Sequence, residues 1–250
     1  MKMIFNEKKY VEDILALGKF TAKPSTDIYM LTKYYFHMGY RSEEIIEKIM
    51  EFVQVASNNL KAWKSRVKQT VKNFKGAKLN IVEEIHLTQS ELDAIFALTK
   101  EHYQKLAFGL LVWLKVINTA RGKQNDWMNL EDTVELFKDI QVNRNSANRD
   151  FMIGTLEEWG YVFNTVRSGS CAVKINYVDW EGEPVLTINS FKDFIMDYYG
   201  YAGSKIIHCG ECGRRIVAKR NTKYCPVCSK NKKRETARLR KQKERTQKNQ

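Results

Sequence analysis

The chain of 250 residues lacks both a bilayer-spanning stretch and a recognisable catalytic signature. Its most apolar run, Leu106 to Ile117, is too short to span a membrane and carries Lys115, so it predicts a helix buried in a protein core. Met1 to Phe5 is a short apolar start, followed at once by Asn6-Glu7-Lys8-Lys9, which does not read as a signal peptide. The expectation is a soluble, cytoplasmic protein with no membrane partner. No Gly-rich phosphate loop, GxSxG or HExxH motif is present, and no carboxylates cluster with a basic partner at a motif spacing. The acidic pairs Glu43-Glu44 and Glu83-Glu84 fit helix starts or solvated faces, and His37, His86 and His102 have no acid-base companions. This reads as a binding protein and not an enzyme.

Cysteine is nearly missing from the first 204 residues, where Cys171 stands alone as an ordinary thiol. Net charge is missing there too. Residues 205–250 hold sixteen of the forty-two Lys and Arg and three of the twenty-nine acids, so the remainder balances at twenty-six of each and the whole excess of +13 sits in the last fifth of the chain. A neutral body with a basic appendage points to a polyanion partner.

What is present in that appendage is Cys209-Gly-Glu-Cys212, twelve residues, then Cys225-Pro-Val-Cys228. Thiolates at i and i+3 in a tight turn aim at one tetrahedral ion, and two such turns complete a four-sulfur shell. Gly210 and Gly213 relieve strain in the first turn and Pro226 stiffens the second. Arg215 to Lys219 has strand character, and Asn221 to Lys223 is the return turn. The expected cofactor is structural Zn²⁺ on Cys209, Cys212, Cys225 and Cys228, with His208 a bystander because a closed all-sulfur shell needs no fifth ligand. Four thiolates around a divalent ion carry −2, leaving the loaded appendage at about +11. The tail after Cys228 has ten basic residues and only Ala237 and Leu239 as apolar ones, so alone it is expected to be disordered or a fraying helix. Against phosphate it can fold as a helix with cations on every side. It has no aromatic residue on which a base could stack.

The body reads as helices first. Helices are expected over Lys8 to Leu17 and Thr26 to His37, and another opens at Ser42 as N-cap. Its stripe is Ile45, Ile49, Phe52, Ala56 and Leu60, widened by Ile46, Met50 and Val53. Residues 74–80 make a linker. Thr88-Gln-Ser-Glu91 is a capping box that opens a long helical region to about Ala120, with Leu87 and Leu92 as its staple. A short helix follows from about Leu130 to Ile140, with Leu130, Val134, Phe137 and Ile140 inward. A third runs from Ser146 to Trp159, burying Met152, Leu156 and Trp159, and Gly160 caps it. Residues 161–166 and 171–177 then alternate like a hairpin. Three helices and a hairpin are the order of a winged helix-turn-helix. In that reading Arg144, Asn145, Asn148 and Arg149 start the recognition helix as base readers, and Arg167 and Lys174 lie on the wing. Asp150, Glu157 and Glu158 share the helix, however, and a neutral winged helix also serves as a protein-docking module. A last aromatic element, Ser190 to Tyr201, suits a helix packed on the body.

The fold class is therefore mainly α with a small β component: a helical region (1–75), a helical and winged-helix-like region (76–204), a C-terminal zinc ribbon (205–228) and a basic, disordered tail (229–250). Three segments are similar to uncharacterised zinc-ribbon proteins of Firmicutes bacteriophages and mobile elements: Ile117 to Phe137 with Asn125-Asp-Trp-Met-Asn129, then Met152 to Tyr161, then Lys223-Tyr-Cys-Pro-Val-Cys228 running into the basic tail. The resemblance implies a bacterial host cell and a role in phage DNA metabolism, gene control or manipulation of a host protein. The leading expectation is a DNA-binding protein in which Arg214, Arg215, Lys219, Arg220 and Lys223 on the ribbon, and Lys232, Lys233, Arg234, Arg238 and Arg240 on the tail, contact phosphate. Two alternatives stand beside it. One is a protein-binding adaptor or inhibitor of a host or phage nucleic-acid enzyme, with the tail as anchor or channel blocker. The other is RNA or ribosome binding.

Overall fold

The computed structural model describes the chain apart from residues 1–3, 5, 57–59, 130–132, 143, 144, 168, 169, 192, 221, 249 and 250. It is mainly helical, 57% helix against 13% strand, as the composition of its segments led one to expect. No described helix is long and apolar enough to cross a membrane. The chain divides into two compact units, Met1–Ile85 with Leu114–Asn125, and His86–Trp113 with Asp126–Gln250.

The first unit contains α1 (Glu7–Leu17), α2 (Pro24–His37), α3 (Ser42–Ala56) and α4 (Leu60–Asn73). Local chemistry sets the boundaries of α1. Asn6 caps it by accepting from Lys9 N–H, and Gly18, at φ 60°, closes it in the left-handed conformation that only glycine adopts without cost. Pro24 sits in the first turn of α2, where its missing N–H is no loss. The α3 stripe is buried at Ile45, Ile49, Phe52 and Val53. It does not extend to Leu60, which is exposed and begins α4. The helix also begins at Ser42 itself, and the Glu44 carboxylate accepts from Arg41 N–H, so Ser42 is not the capping residue. Two buried carboxylates knit the unit. Glu7 pairs with Lys33 and accepts from Asn80 N–H, tying the 74–80 segment to α1. Asp27 accepts from Tyr10, from Thr21 N–H and from the Thr21 hydroxyl, so its buried charge is satisfied by three donors.

The second unit opens with β1 (Ile85–Thr88) and α5 (Gln89–Phe96). The Thr88–Glu91 capping box is present with both of its hydrogen bonds. The long helical region is not continuous: α6 (Glu101–Arg121) starts afresh after a break at residues 97–100. There the Gln104 side chain donates to the Leu98 carbonyl, which lets Leu98 bury without a helical partner. From Leu106 to Leu114 the helix is buried on all sides, and at Gly109 it meets α7 (Thr133–Asp139) so closely that a Cβ would run into Ile140 and Leu136. That contact sets the phase of α7. Leu136, Phe137 and Ile140 are inward, and Val134, expected inward, is exposed. Between α6 and α7 lies β2 (Trp127–Asn129), read from sequence only as part of a connection. Leu130 is outside the described residues.

Next come α8 (Ser146–Glu158), β3 (Val162–Arg167) and β4 (Ser170–Ile175). The three strands form one antiparallel sheet in the order β2-β4-β3, so the strand before α7 returns to the hairpin after α8. Met152 and Leu156 are buried as expected. Trp159 is 46% exposed, because it stands at the C-cap beyond the last helical turn and leans edge-on against Tyr103. A further strand, β5 (Pro184–Ile188), pairs with β1. The expected aromatic helix is real but shorter, α9 (Ile195–Tyr201), with Phe194 and Tyr198 in the core and Tyr198 stacked on Phe96 at 5.5 Å.

The chain ends with β6 (Ile206–His208), β7 (Arg215–Val217) and α10 (Pro226–Lys248). The tail, expected to be disordered or a fraying helix, is a continuation of the helix that starts in the second cysteine pair. Nucleation is the costly step in helix formation, and here the knuckle supplies it: Pro226 fixes φ in the first turn, and Cys225 Sγ accepts from Cys228 N–H. The Ala, Leu, Arg, Lys, Gln and Glu that follow are good helix formers.

Candidate metal centre and its basic surroundings

β6 and β7 pair antiparallel with Ile206 opposite Val217 and His208 opposite Arg215, bringing the two ends of the first knuckle together. Cys209 N–H donates to Arg214 O, and Gly213, at φ 68°, donates back to Cys209 O, closing a tight turn around the metal-facing side. Gly210 N–H donates to Lys223 O and draws the second knuckle onto the first. The four sulfurs of Cys209, Cys212, Cys225 and Cys228 all lie within 4.8 Å of one another. Cys212 and Cys225 are 3.8 Å apart. Four sulfurs about 2.3 Å from a tetrahedral Zn²⁺ would sit about 3.8 Å from each other, so the donor set and its spacing suit this ion. Among the described residues this is where ligating side chains come together, and His208 stays outside.

The electrostatics favour thiolate at two of the four cysteines. Cys209 is pulled down to about 6 by the N–H of Cys225, by that of Cys212 and by other local donors. Cys225 is likewise lowered, chiefly by Cys228 N–H. Cys228 is pushed up to about 12, first by Cys225 and then by Cys212, because without a cation the sulfurs must share protons. A divalent ion removes that conflict. Around the sulfurs the module buries little else: Cys209, Ile216 and Cys225, with Ile207, Tyr224 and Cys228 partly covered.

The expected phosphate contacts divide sharply. Arg214, Lys219, Arg220 and Lys223 are exposed on the hairpin and its return. Arg215 is not. Its guanidinium is held by Asp193 at 2.9 Å and Asp197 at 2.7 Å, and it also donates to the Ser190 and Asp193 carbonyls. With its hydrogen bonds to Asp197 first and then to Asp193 opposing its deprotonation, Arg215 is a clamp between β7 and the segment leading into α9. Its charge is spent inside the fold, which corrects the expectation of a phosphate contact. Lys232 is half-buried, paired with Glu211 at 2.7 Å and lying over the Tyr224 ring. Lys233, Arg234, Arg238 and Arg240 are exposed along α10. A groove of about 630 Å³ runs beside the helix, lined by Tyr224, Ser229, Lys232, Lys233, Thr236, Ala237, Arg240 and Lys241.

The expected base readers are less uniform. Arg144 lies outside the described residues. Asn145 uses its side-chain oxygen to cap α8, and Asn148 donates to Met152 Sδ. Arg149 is half-buried. Arg167 ends β3 with its side chain outside the described set, as is that of Cys171 on β4. Lys174 is half-buried in β4, opposite Trp127 on one side and Phe163 on the other. Sequence reasoning passed over Trp127 and Phe163, whose exposure beside buried Met128 and Val162 is ordinary strand alternation.

Comparison with protein-family models, with curated proteins and with solved structures finds no match to this chain.

Proposed function

We propose that the C-terminal appendage is a structural zinc ribbon that anchors a nucleic-acid-binding helix, and that the protein acts by binding rather than by catalysis. One observation carries this reading: a helix of 23 residues, with cations along its length, grows directly out of a four-cysteine cluster. The metal supplies no chemistry to a substrate, because a closed sulfur shell has no open position; it holds the start of α10 in place. Exposed Arg214, Lys219, Arg220 and Lys223 extend the positive surface onto the hairpin. DNA is the partner favoured here, with RNA equally able to supply phosphate. The resemblance to phage and mobile-element proteins suggests DNA metabolism or gene control in a bacterial host.

The body contributes a winged-helix-like segment. Support comes from the sequence of elements α6, β2, α7, α8, β3, β4 and from the strand order β2-β4-β3, in which the middle strand is the last of the hairpin. With Asn145 and Asn148 engaged inside α8, its role is positioning more than base reading.

The test is an anisotropy titration of a labelled DNA duplex with the full chain across a salt series. Changing Lys233, Arg234, Arg238 and Lys241 together to Gln is expected to flatten the dependence of log affinity on log salt by about three to four. An unchanged slope removes α10 from binding. A second reading, a protein-binding adaptor, is favoured by Phe151, which stands 67% exposed on α8. It replaces the first if the full chain binds no nucleic acid at low salt.

A further inference from the structure

We infer that the outer face of the β2-β4-β3 sheet is a stacking platform for unpaired bases, which makes single-stranded nucleic acid a ligand of this protein. The inference rests on the nucleic-acid reading above and adds the class of strand.

Strand alternation sends Met128, Val162, Val173 and Ile175 into the core, all nearly or fully buried. The opposite face carries two ranks. In one, Trp127 of β2 lies opposite Lys174 of β4, which lies opposite Phe163 of β3. In the next stand Asn129, Ala172 and Thr165. Phe163 is 51% exposed and Trp127 36%, and their rings meet edge to face at 6.0 Å. Two large aromatic side chains thus stand on the outer side of the sheet, partly open to solvent.

Chemistry selects the occupant. Neither rank contains an acid, and a cation stands in the middle strand between the rings. Glu157 of α8 accepts from Asn164 N–H. An aromatic face with a central cation is complementary to a base and its phosphate: the base covers the ring and the phosphate meets Lys174. A duplex cannot use this face, since its bases are stacked on each other and offer only edges in the grooves. Unpaired bases offer their faces. The platform also supplies what α10 lacks, because no aromatic residue occurs in the chain after Tyr224.

The experiment uses the full chain with fluorescein-labelled oligo(dT) and, separately, with its duplex, at a salt concentration where phosphate contacts alone are weak. Trp127→Leu and Phe163→Leu keep apolar bulk and remove the π-face. Each is expected to lower oligo(dT) affinity about tenfold while duplex affinity stays within about twofold. Phe163→Tyr is expected to bind oligo(dT) like the parent, and all variants are checked for an unchanged melting temperature. The platform is overturned if the Leu variants bind oligo(dT) normally, if they lose duplex and single strand equally, or if Phe163→Tyr loses as much as Phe163→Leu. Failure of the parent reading looks different: the unmodified chain then binds neither ligand.

Discussion

The helical cluster near the start of the chain and the module at its end bury very different amounts of apolar side chain. In α1 to α4, eleven apolar side chains are buried together, from Val11 to Val71, with a second layer of aromatic and aliphatic residues packed against them. Among the described residues the terminal module buries Cys209, Ile216 and Cys225. Three side chains cannot offset the conformational entropy lost by two knuckles and a hairpin. In the zinc-ribbon reading proposed above, metal–sulfur bonds would do so. The first region depends on summed contacts that any one residue can weaken but not abolish. The second would then depend on four sulfurs, none of which can be spared.

That contrast can be broken at its strongest point first. Cys212→Ser is expected to release zinc and unfold the module, a loss of about 10 kcal/mol of metal-coupled folding energy, while far-ultraviolet circular dichroism of the body persists. Retention of one zinc per chain by native mass spectrometry would refute the site. Acidification should act in the same direction. Protons compete with the metal for the four sulfurs, so zinc should be lost as the pH is lowered.

A smaller effect tests the other side. Ile49 is fully buried in α3, and Ile49→Ala should destabilise the first region by about 2–5 kcal/mol through lost burial and a residual cavity. Zinc content should not change. A drop in both would mean that the two regions are not energetically separate.

The smallest effect sharpens the comparison at the module's edge. Arg215→Gln should cost about 1–3 kcal/mol, since it leaves Asp193 and Asp197 facing each other with one neutral donor between them. The readout is faster amide exchange in β7 and α9 with zinc still bound. If exchange rises only in β7, Arg215 serves the hairpin alone and does not clamp it to α9.

Local signals were the legible ones. The Thr88–Glu91 box and Gly160 mark helix ends because each acts on backbone within four residues of itself. The cysteine spacing announced the cluster for the same reason. Val134 and Trp159 show where this fails. Periodicity names a face, but the phase of a short helix is set by what it packs on, here Gly109 of α6 for α7, and a residue at the C-cap has left the helical repeat altogether. The tail shows another limit. Its composition leaves disorder and a fraying helix open in isolation, and its attachment to a nucleated turn goes with the helix seen here.

Sequence alone determined the mainly helical character, the cysteine cluster and the confinement of surplus charge to residues 205–250, because propensity, spacing and charge belong to residues wherever they end up. Only the tertiary structure decided that β2 joins the hairpin, that Trp127 and Phe163 flank Lys174, and that Arg215 faces two aspartates and not solvent. Each of these joins residues separated by many positions along the chain. Such pairings are chosen by packing and desolvation over the whole fold, and leave no mark in any short stretch of sequence.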